Sequence, residues 1–306
     1  MLPSQGYVAT GDGVRLFFQK LGSSPNAVII PNAFHMFDSF RRLADNRTVI
    51  FFDARHRGNS DCVTDRSKLA RGIHHDVDDL EAVRLHFEID KIDVIGHSYV
   101  GLMLILYALK YPSHVNRVVQ IGPMEPRAGT QYPVHLTGAD ATFAAFLSML
   151  AQPRNESEDP KAACRKFWEM LRVVMVANAA DADKIHWTPC DCSNEVSLMT
   201  HLTENIFPSI QGLHLTQEEL SKVKSPVLTI HGTRDRQSPY GGGREWVLML
   251  PNARLVTVEN AAHVPWIEAP ERVFGSIETF LDGAWPEAAQ TVASLDPRTE
   301  SHPELT

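Results

Sequence analysis

The sequence predicts an α/β fold, a mostly parallel and doubly wound sheet that carries an inserted helical cap. Short apolar runs such as NAVIIP (26–31) and RTVIFFD (47–53) are typical of strands buried on both faces of a parallel sheet. These runs alternate with amphipathic helical patterns, which predicts right-handed strand–helix–strand connections. Between residues 124 and 222 the alternation stops and helical patterns dominate, so this segment is expected to form the cap.

The first part of the core is predicted over residues 1–123. It begins with a β-hairpin over residues 7–22, whose two strand-like runs flank a Gly-Asp-Gly turn. A helix is predicted over residues 75–90, where apolar residues recur at helical spacing and acids lie in the first turn. Two further strands, which lie around residues 91–98 and 115–123, flank an apolar helix.

The second part of the core is predicted over residues 223–283. SPVLTIHG (225–232) and ARLVTVEN (253–260) are strand patterns, and a helical pattern follows each of them. The last segment, residues 284–306, is polar and punctuated by proline. We therefore expect it to be a loose tail.

The composition of the chain indicates which kinds of binding partner to expect. The chain has 306 residues, 43% of them apolar, and a net charge of −8. Neither a cluster of Lys and Arg nor an uninterrupted apolar stretch of about 18 residues occurs, so nucleic acid and a membrane span are not expected. The first residues do not have the pattern of a signal peptide. These properties favour a cytoplasmic protein with a small-molecule substrate and leave its oligomeric state open.

The chain has four cysteines, and their spacing fits no zinc-binding pattern. Cys190 and Cys192 are too close in sequence to pair well with each other. Together with Cys62 and Cys164, they are expected to be free thiols in a reducing compartment.

The segment VIGHSYVGLM (94–103) places Ser98 between a strand and a helix. A sharp turn at such a position lifts the serine hydroxyl above the carboxyl edge of the sheet, and Gly96 gives the room that this turn needs. The backbone N–H of Tyr99 would point toward an oxyanion. Ser98 is therefore the candidate nucleophile.

A serine nucleophile needs a base and an acid, and both follow later strands. Asp235 lies in the loop after residues 225–232, and His263 lies in the loop after residues 253–260. Parallel α/β sheets place their sites beyond the carboxyl ends of the strands, where these residues would meet Ser98. Glu125, which follows an earlier strand, is an alternative acid.

Together these segments resemble the α/β-hydrolase fold superfamily. GHS, HGTRD and AAHVPWIEAP are similar to its nucleophile, acid and histidine segments, and FFDARHRGNSD (51–61) is similar to its D-x-R-G-x-G-x-S segment. The resemblance covers about residues 6–123 and 222–282. It implies a Ser98–Asp235–His263 triad, and neither a metal nor an organic cofactor is implied. CDCSNE (190–195) faintly resembles the cap of proline iminopeptidases.

Two positions depart from the family pattern. Pro31-Asn32-Ala33-Phe34 replaces its His-Gly segment, so the second oxyanion donor is expected to be the backbone N–H of Ala33, or of Phe34 if the alignment shifts by one residue. Val100 occupies a crowded position where the family has glycine. Gly101 is expected to relieve that crowding.

The substrate pocket is harder to assign from sequence. Its candidate residues are Phe34, Met36, Trp168, Glu195 and Trp266. Hydrolysis of an ester or lactone is the leading hypothesis. The alternatives are an aminopeptidase whose cap glutamate binds the substrate ammonium, a carbon–carbon bond hydrolase with a positive group in the pocket, and a ligand-binding protein without enzymatic activity.

Overall fold

The computed structural model of the chain describes residues 2–31, 33–151, 159–187 and 189–299. These residues form one nine-stranded sheet. Its strands are β1 Ser4–Ala9, β2 Arg15–Leu21, β3 Ala27–Pro31, β4 Thr48–Phe52, β5 Ile92–His97, β6 Val115–Ile121, β7 Val227–Gly232, β8 Ala253–Val258 and β9 Ala289–Gln290.

The strand order is β1-β2-β4-β3-β5-β6-β7-β8-β9. The strands from β4 to β8 pair in parallel, while β1, β2 and β9 add antiparallel pairs at the two edges. Every residue of β3, β4, β5 and β7 is buried. The predicted fold class is therefore confirmed.

Helices cover the sheet and fill the segment between β6 and β7. In chain order they are α1 Ala33–Phe40, α2 Ile73–His86, α3 Tyr99–Lys110, α4 Ala141–Leu150, α5 Pro160–Met175, α6 Ser193–Val196, α7 Leu198–His201, α8 Phe207–Gln211, α9 Gln217–Leu220, α10 Tyr240–Met249, α11 Pro265–Glu268 and α12 Pro270–Leu281. A π-helical turn, Leu202–Ile206, joins α7 to α8. None of the helices described for the chain is long and apolar enough to cross a membrane.

Helix α2 is shorter than the 75–90 segment predicted from the sequence. It begins directly after Gly72, whose φ of 51° turns the chain into the helix, and it ends before Glu88, whose φ is 54°. Left-handed backbone at these two positions interrupts the helical hydrogen bonds although the apolar spacing continues to Phe87.

The sheet divides the apolar interior into two large clusters. Ile30 belongs to the cluster that includes α1 and α12, whereas its neighbour Ile29 belongs to the cluster that includes α2 and α3. This division follows from the alternation of side chains along a strand. Trp168 and Met175 of α5 belong to the same cluster as Ile30, so α5 packs directly on one face of the core.

The expectation of a loose tail is wrong for residues 285–299. Strand β9 pairs with β8, and the ring of Trp285 lies 4.9 Å from that of Phe280. Arg244 donates hydrogen bonds of 2.8 Å to the carbonyls of Ser294 and Leu295. A few apolar residues and backbone hydrogen bonds thus anchor a mainly polar segment. Residues 300–306 lie outside the described part of the chain.

The expectation of four free thiols is also wrong. Cys164 of α5 and Cys190 form a disulfide, with their Cα atoms 5.8 Å apart. Cys62 and Cys192 are free. The fold brings Cys164 beside Cys190 across 26 residues of sequence, a pairing that spacing alone does not reveal.

Candidate active site

Ser98 occupies a strained turn between β5 and α3. Its φ is 57° and its ψ is −128°, a conformation that non-glycine residues rarely adopt. The Ser98 N–H donates to the Ile121 carbonyl at 3.0 Å, and the Ser98 carbonyl accepts from Gly101 and Met124. Because backbone strain persists only where neighbouring contacts hold it, these hydrogen bonds fix the turn. The side chain remains partly exposed.

Close packing of α3 on β5 supports this turn. A Cβ on Gly96 would lie 2.9 Å from the carbonyl of Val100, which is closer than side-chain atoms normally come. Gly101 lies against Pro123, where a Cβ would come within 3.0 Å of the ring. Val100 is buried among apolar side chains. The two glycines therefore make room for the turn, and Val100 is accommodated within the core.

Asp235 and His263 form a buried pair beyond the ends of β7 and β8. Nδ1 of His263 donates to Oδ2 of Asp235 at 2.8 Å. Oδ1 of Asp235 accepts from the backbone N–H groups of Gln237 and Ser238, each at 2.9 Å. Burial raises the pKa of Asp235, but the charge of His263 and the hydrogen bonds from His231 and His263 outweigh it and hold that pKa below its usual range.

The backbone of His263 is also held at both ends. Its N–H donates to the carbonyl of Met175, the last residue of α5, at 2.9 Å. Its carbonyl accepts a hydrogen bond of 2.9 Å from Nε2 of His97, whose ring lies 4.3 Å from the His263 ring. Burial, followed by the charge of His263, holds the pKa of His97 well below its ordinary value. A neutral imidazole therefore braces the histidine loop.

Gly122 connects this pair to Ser98. It directly follows Ile121, whose carbonyl accepts the hydrogen bond from Ser98. A Cβ on Gly122 would lie 3.1 Å from Oδ2 of Asp235 and 3.3 Å from Nδ1 of His263. The strands β5, β6, β7 and β8 are consecutive in the sheet. Ser98, Asp235 and His263 therefore all lie at the carboxyl ends of neighbouring parallel strands.

The two predicted oxyanion donors occupy equivalent positions. Ala33 is the first residue of α1 after β3, and Tyr99 is the first residue of α3 after the neighbouring strand β5. N–H groups in the first turn of a helix have no partner within that helix. The Phe34 N–H instead donates to Oδ1 of Asp53 at 2.9 Å, so the shifted alignment loses its donor. Burial raises the pKa of Asp53 to about 6.

The structure distributes the predicted pocket residues over different environments. Met36 and Trp266 are buried in the core, where the Trp266 ring packs against His97 at 4.8 Å. Phe34 and Trp168 both contact the ring of His35, at 5.3 Å and 5.2 Å. His201 and Glu204, in the segment between β6 and β7, line a separate cavity of about 480 Å³.

Glu195 lies in a buried ion pair with Arg57. Nε and Nη2 of Arg57 donate to its two carboxylate oxygens at 2.8 Å and 3.2 Å, and the Gly58 N–H adds a third bond. Burial raises the pKa of Glu195, but the charge of Arg57 outweighs it and holds that pKa below its usual range. Both charges are thus compensated within the protein.

Glu125, the alternative acid, lies elsewhere. Its Cβ is against Gly242 at the start of α10, and burial followed by the charge of Glu245 raises its pKa. The histidine hydrogen bond goes to Asp235. In the described ranges, no group of three or more His, Cys, Asp or Glu side chains is arranged to hold a metal ion.

Several residues with partners in or near the site carry little signal in the sequence. His97 and His231 lie inside the quoted motifs, but only their position at strand ends beside Ser98 and Asp235 hints at a role. Arg57, which compensates Glu195, is separated from it by 138 residues. Met175 contacts His263 through its backbone carbonyl, so the identity of its side chain does not reveal this contact in the sequence.

Comparison with known proteins places these features in a family. Residues 28–270 match the family model for the alpha/beta hydrolase fold. An esterase from Exiguobacterium antarcticum has a similar solved structure, with a TM-score of 0.69 at 17% sequence identity; the match covers 92% of this chain and all of that one.

Three relatives carry names that indicate different substrates. A 2-hydroxy-6-oxononadienedioate/2-hydroxy-6-oxononatrienedioate hydrolase from Paraburkholderia phymatum is 27% identical, over 90% of each chain. A pimeloyl-[acyl-carrier protein] methyl ester esterase from Aromatoleum aromaticum is 28% identical, over 63% of this chain and 75% of its own. A proline iminopeptidase from Lactobacillus acidophilus is 23% identical, over 82% and 85%.

Proposed function

The chain belongs to the alpha/beta hydrolase fold family and is a hydrolase, and we propose that it cleaves a small-molecule ester or lactone through a covalent acyl-enzyme. Ser98 is the nucleophile, His263 is the general base and Asp235 orients the imidazole. The observation that carries this proposal is the 2.8 Å Asp235–His263 hydrogen bond at the sheet edge that also bears the strained Ser98.

In the first half of the reaction, Oγ of Ser98 attacks the carbonyl carbon of the ester. Nδ1 of His263 is committed to Asp235, so Nε2 is free to take the serine proton. The N–H groups of Ala33 and Tyr99 stabilise the negative charge that develops on the carbonyl oxygen. The bond to the leaving oxygen then breaks as His263 returns the proton to it.

In the second half, water attacks the acyl-enzyme. His263 removes a proton from the water as its oxygen bonds to the acyl carbon, and the same N–H groups hold the second oxyanion. The bond to Oγ of Ser98 breaks and the proton returns to Oγ. The products are a carboxylic acid and the free enzyme.

The buried Arg57–Glu195 pair supports an uncharged substrate. An aminopeptidase needs a free carboxylate for the substrate ammonium, but Glu195 already accepts three hydrogen bonds. A dicarboxylate substrate of the kind in the Paraburkholderia relative's name needs a free cation. Arg57 is bound to Glu195, and Arg236 is bound to Asp140 and to the Val176 carbonyl.

Labelling with a fluorophosphonate tests the nucleophile. We expect one label per chain, mapped by peptide sequencing to Ser98, together with turnover of p-nitrophenyl esters. Ser98→Ala should lose both label and turnover. Ser113→Ala, which changes an exposed serine just beyond α3, is the matched control and should retain both.

A label on another serine would identify a different nucleophile. Folded wild-type protein that takes up no label and hydrolyses no ester would favour the ligand-binding alternative on the same fold. Among active preparations, the preferred acyl length in a p-nitrophenyl ester series would give the size of the pocket.

A further inference from the structure

Asp235 receives a second imidazole besides that of His263. Nε2 of His231, in β7, lies 3.2 Å from Oδ2 of Asp235, the same oxygen that accepts from His263. Nε2 of His231 also lies 2.9 Å from the Ser238 carbonyl oxygen. His231 and Asp235 are both fully buried, so no bulk water competes for these contacts.

The partners of His231 fix its tautomer. Both oxygens near Nε2 are acceptors, so Nε2 must carry the proton and donate to them. Nδ1 is buried and has no hydrogen-bond partner among the described residues. A Cβ on Gly243 would lie 2.2 Å from this nitrogen, so the absence of a side chain there makes room for the ring. His231 thus holds its Nε2–H against Asp235.

We propose that His231 is a positioning residue, which acts on His263 through Asp235; this inference rests on the proposed function. Two backbone N–H groups hold Oδ1, while His231 and His263 share Oδ2. Three hydrogen bonds and the 3.2 Å contact with Nε2 of His231 therefore restrain the rotation of the carboxylate, and that rotation sets the direction in which His263 is held. The N–H of His231 also stabilises the negative charge on Oδ2, the oxygen that faces His263.

Loss of this donor has two consequences. The carboxylate can rotate away from the geometry that aligns His263 with Ser98, which lowers the rate of the chemical step. Asp235 also becomes a stronger acceptor for the His263 proton, so the acid limb of the pH–rate profile moves to higher pH. His97, whose ring lies 4.3 Å from that of His263, and Glu268, which accepts from the N–H of the neighbouring Ala262, are unchanged in such a variant.

A matched pair of variants tests the proposal. His231→Gln keeps an N–H donor near the place of Nε2, whereas His231→Leu removes it. We expect His231→Leu to lower kcat about 10- to 100-fold with little change in KM, and to move the acid limb to higher pH. His231→Gln should keep kcat within about three-fold of wild type and leave the acid limb in place.

Two further measurements remove ambiguity. If His231→Leu does not fold, Gly243→Ala supplies the test, because its methyl group displaces the ring and should give the same shift of the acid limb. The proton resonance of the His263 Nδ1–H reports the Asp235–His263 bond without turnover. Suppose that the His263 Nδ1–H resonance shifts in His231→Leu protein, but fluorophosphonate does not label Ser98 in wild-type protein. This result would uphold the effect of His231 on the Asp235–His263 bond and overturn the proposed function. His231→Leu protein with wild-type kcat, acid limb and resonance would overturn the inference.

Discussion

Nδ1 of His263 lies 2.8 Å from Oδ2 of Asp235, while Glu125, in the segment that follows β6, lies against Gly242. Of the two carboxylates that follow nearby strands, Asp235 and Glu125, the His263 imidazole is therefore paired with Asp235. This choice of partner leads to the first prediction.

Asp235→Asn should lower kcat by about 10³- to 10⁴-fold, because an amide group does not hold His263 in the tautomer with a free Nε2. Steady-state kinetics on a p-nitrophenyl ester measures the effect, and circular dichroism checks that the variant is folded. Glu125→Gln is the matched control and should stay within about three-fold of wild type. A larger loss from Glu125→Gln than from Asp235→Asn would reverse the assignment of the acid.

Asp76→Asn should stabilise the protein more as the pH rises. Burial, followed by the charge of Asp79, raises the pKa of Asp76 to about 8. The folded state therefore binds the proton more tightly than the unfolded chain, where the pKa is about 4. The stability that this proton contributes is fully present below pH 4 and is lost as the pH rises toward 8.

Asparagine cannot ionise, so the variant does not show this loss. The difference in free energy of unfolding between variant and wild type should grow between pH 5 and 8 by up to about 1.4 kcal/mol per pH unit. Urea unfolding of both proteins at the two pH values measures it. A difference that stays constant with pH would mean that Asp76 is already ionised in the folded protein across this range.

Removal of residues 284–306 should lower the melting temperature by roughly 5 °C or more, because it takes away β9 and the acceptors of Arg244. Removal of residues 300–306 alone leaves these contacts in place and is the control. Differential scanning calorimetry compares the two truncations. Equal melting temperatures for both would show that the contacts of residues 285–299 contribute nothing measurable.

Replacement of Cys164 and Cys190 by serine should lower the free energy of unfolding by about 3.5 kcal/mol, the value expected for opening a cross-linked loop of this length. Cys62→Ser, which changes an exposed free thiol, should have no such effect. Chemical denaturation without reductant measures both. A double variant as stable as wild type would mean that the disulfide does not form in solution.

Local sequence patterns were sufficient to predict the parallel core, and they also gave the candidate triad, which stays a prediction. Buried strands such as β3 and β4 are continuous apolar runs, and Ser98, Asp235 and His263 each follow a strand that the pattern identifies. Long-range pairs were not accessible in this way. Cys164 and Cys190 meet through the folding of the segment between β6 and β7 on itself. Arg57 and Glu195 meet because that segment packs against the loop after β4.

The same limit explains the error in the tail. A two-residue strand such as β9 has no periodicity of its own, and its pairing is imposed by the exposed edge of β8. Trp285 is a single aromatic residue within a polar segment, and the Phe280 side chain that receives it comes from α12. Tertiary contacts therefore order a segment whose composition is typical of disorder.

The hydrogen bond from the His263 N–H to the Met175 carbonyl joins the end of a cap helix to the proposed base. This hydrogen bond couples the end of α5 to the histidine loop, so we expect a displacement at the end of α5 to move the imidazole. Sequence drift within the cap would then alter turnover as well as affinity, even with all three triad residues intact. A library of cap variants should accordingly be screened for rate, because selection for tight binding alone would retain inactive clones.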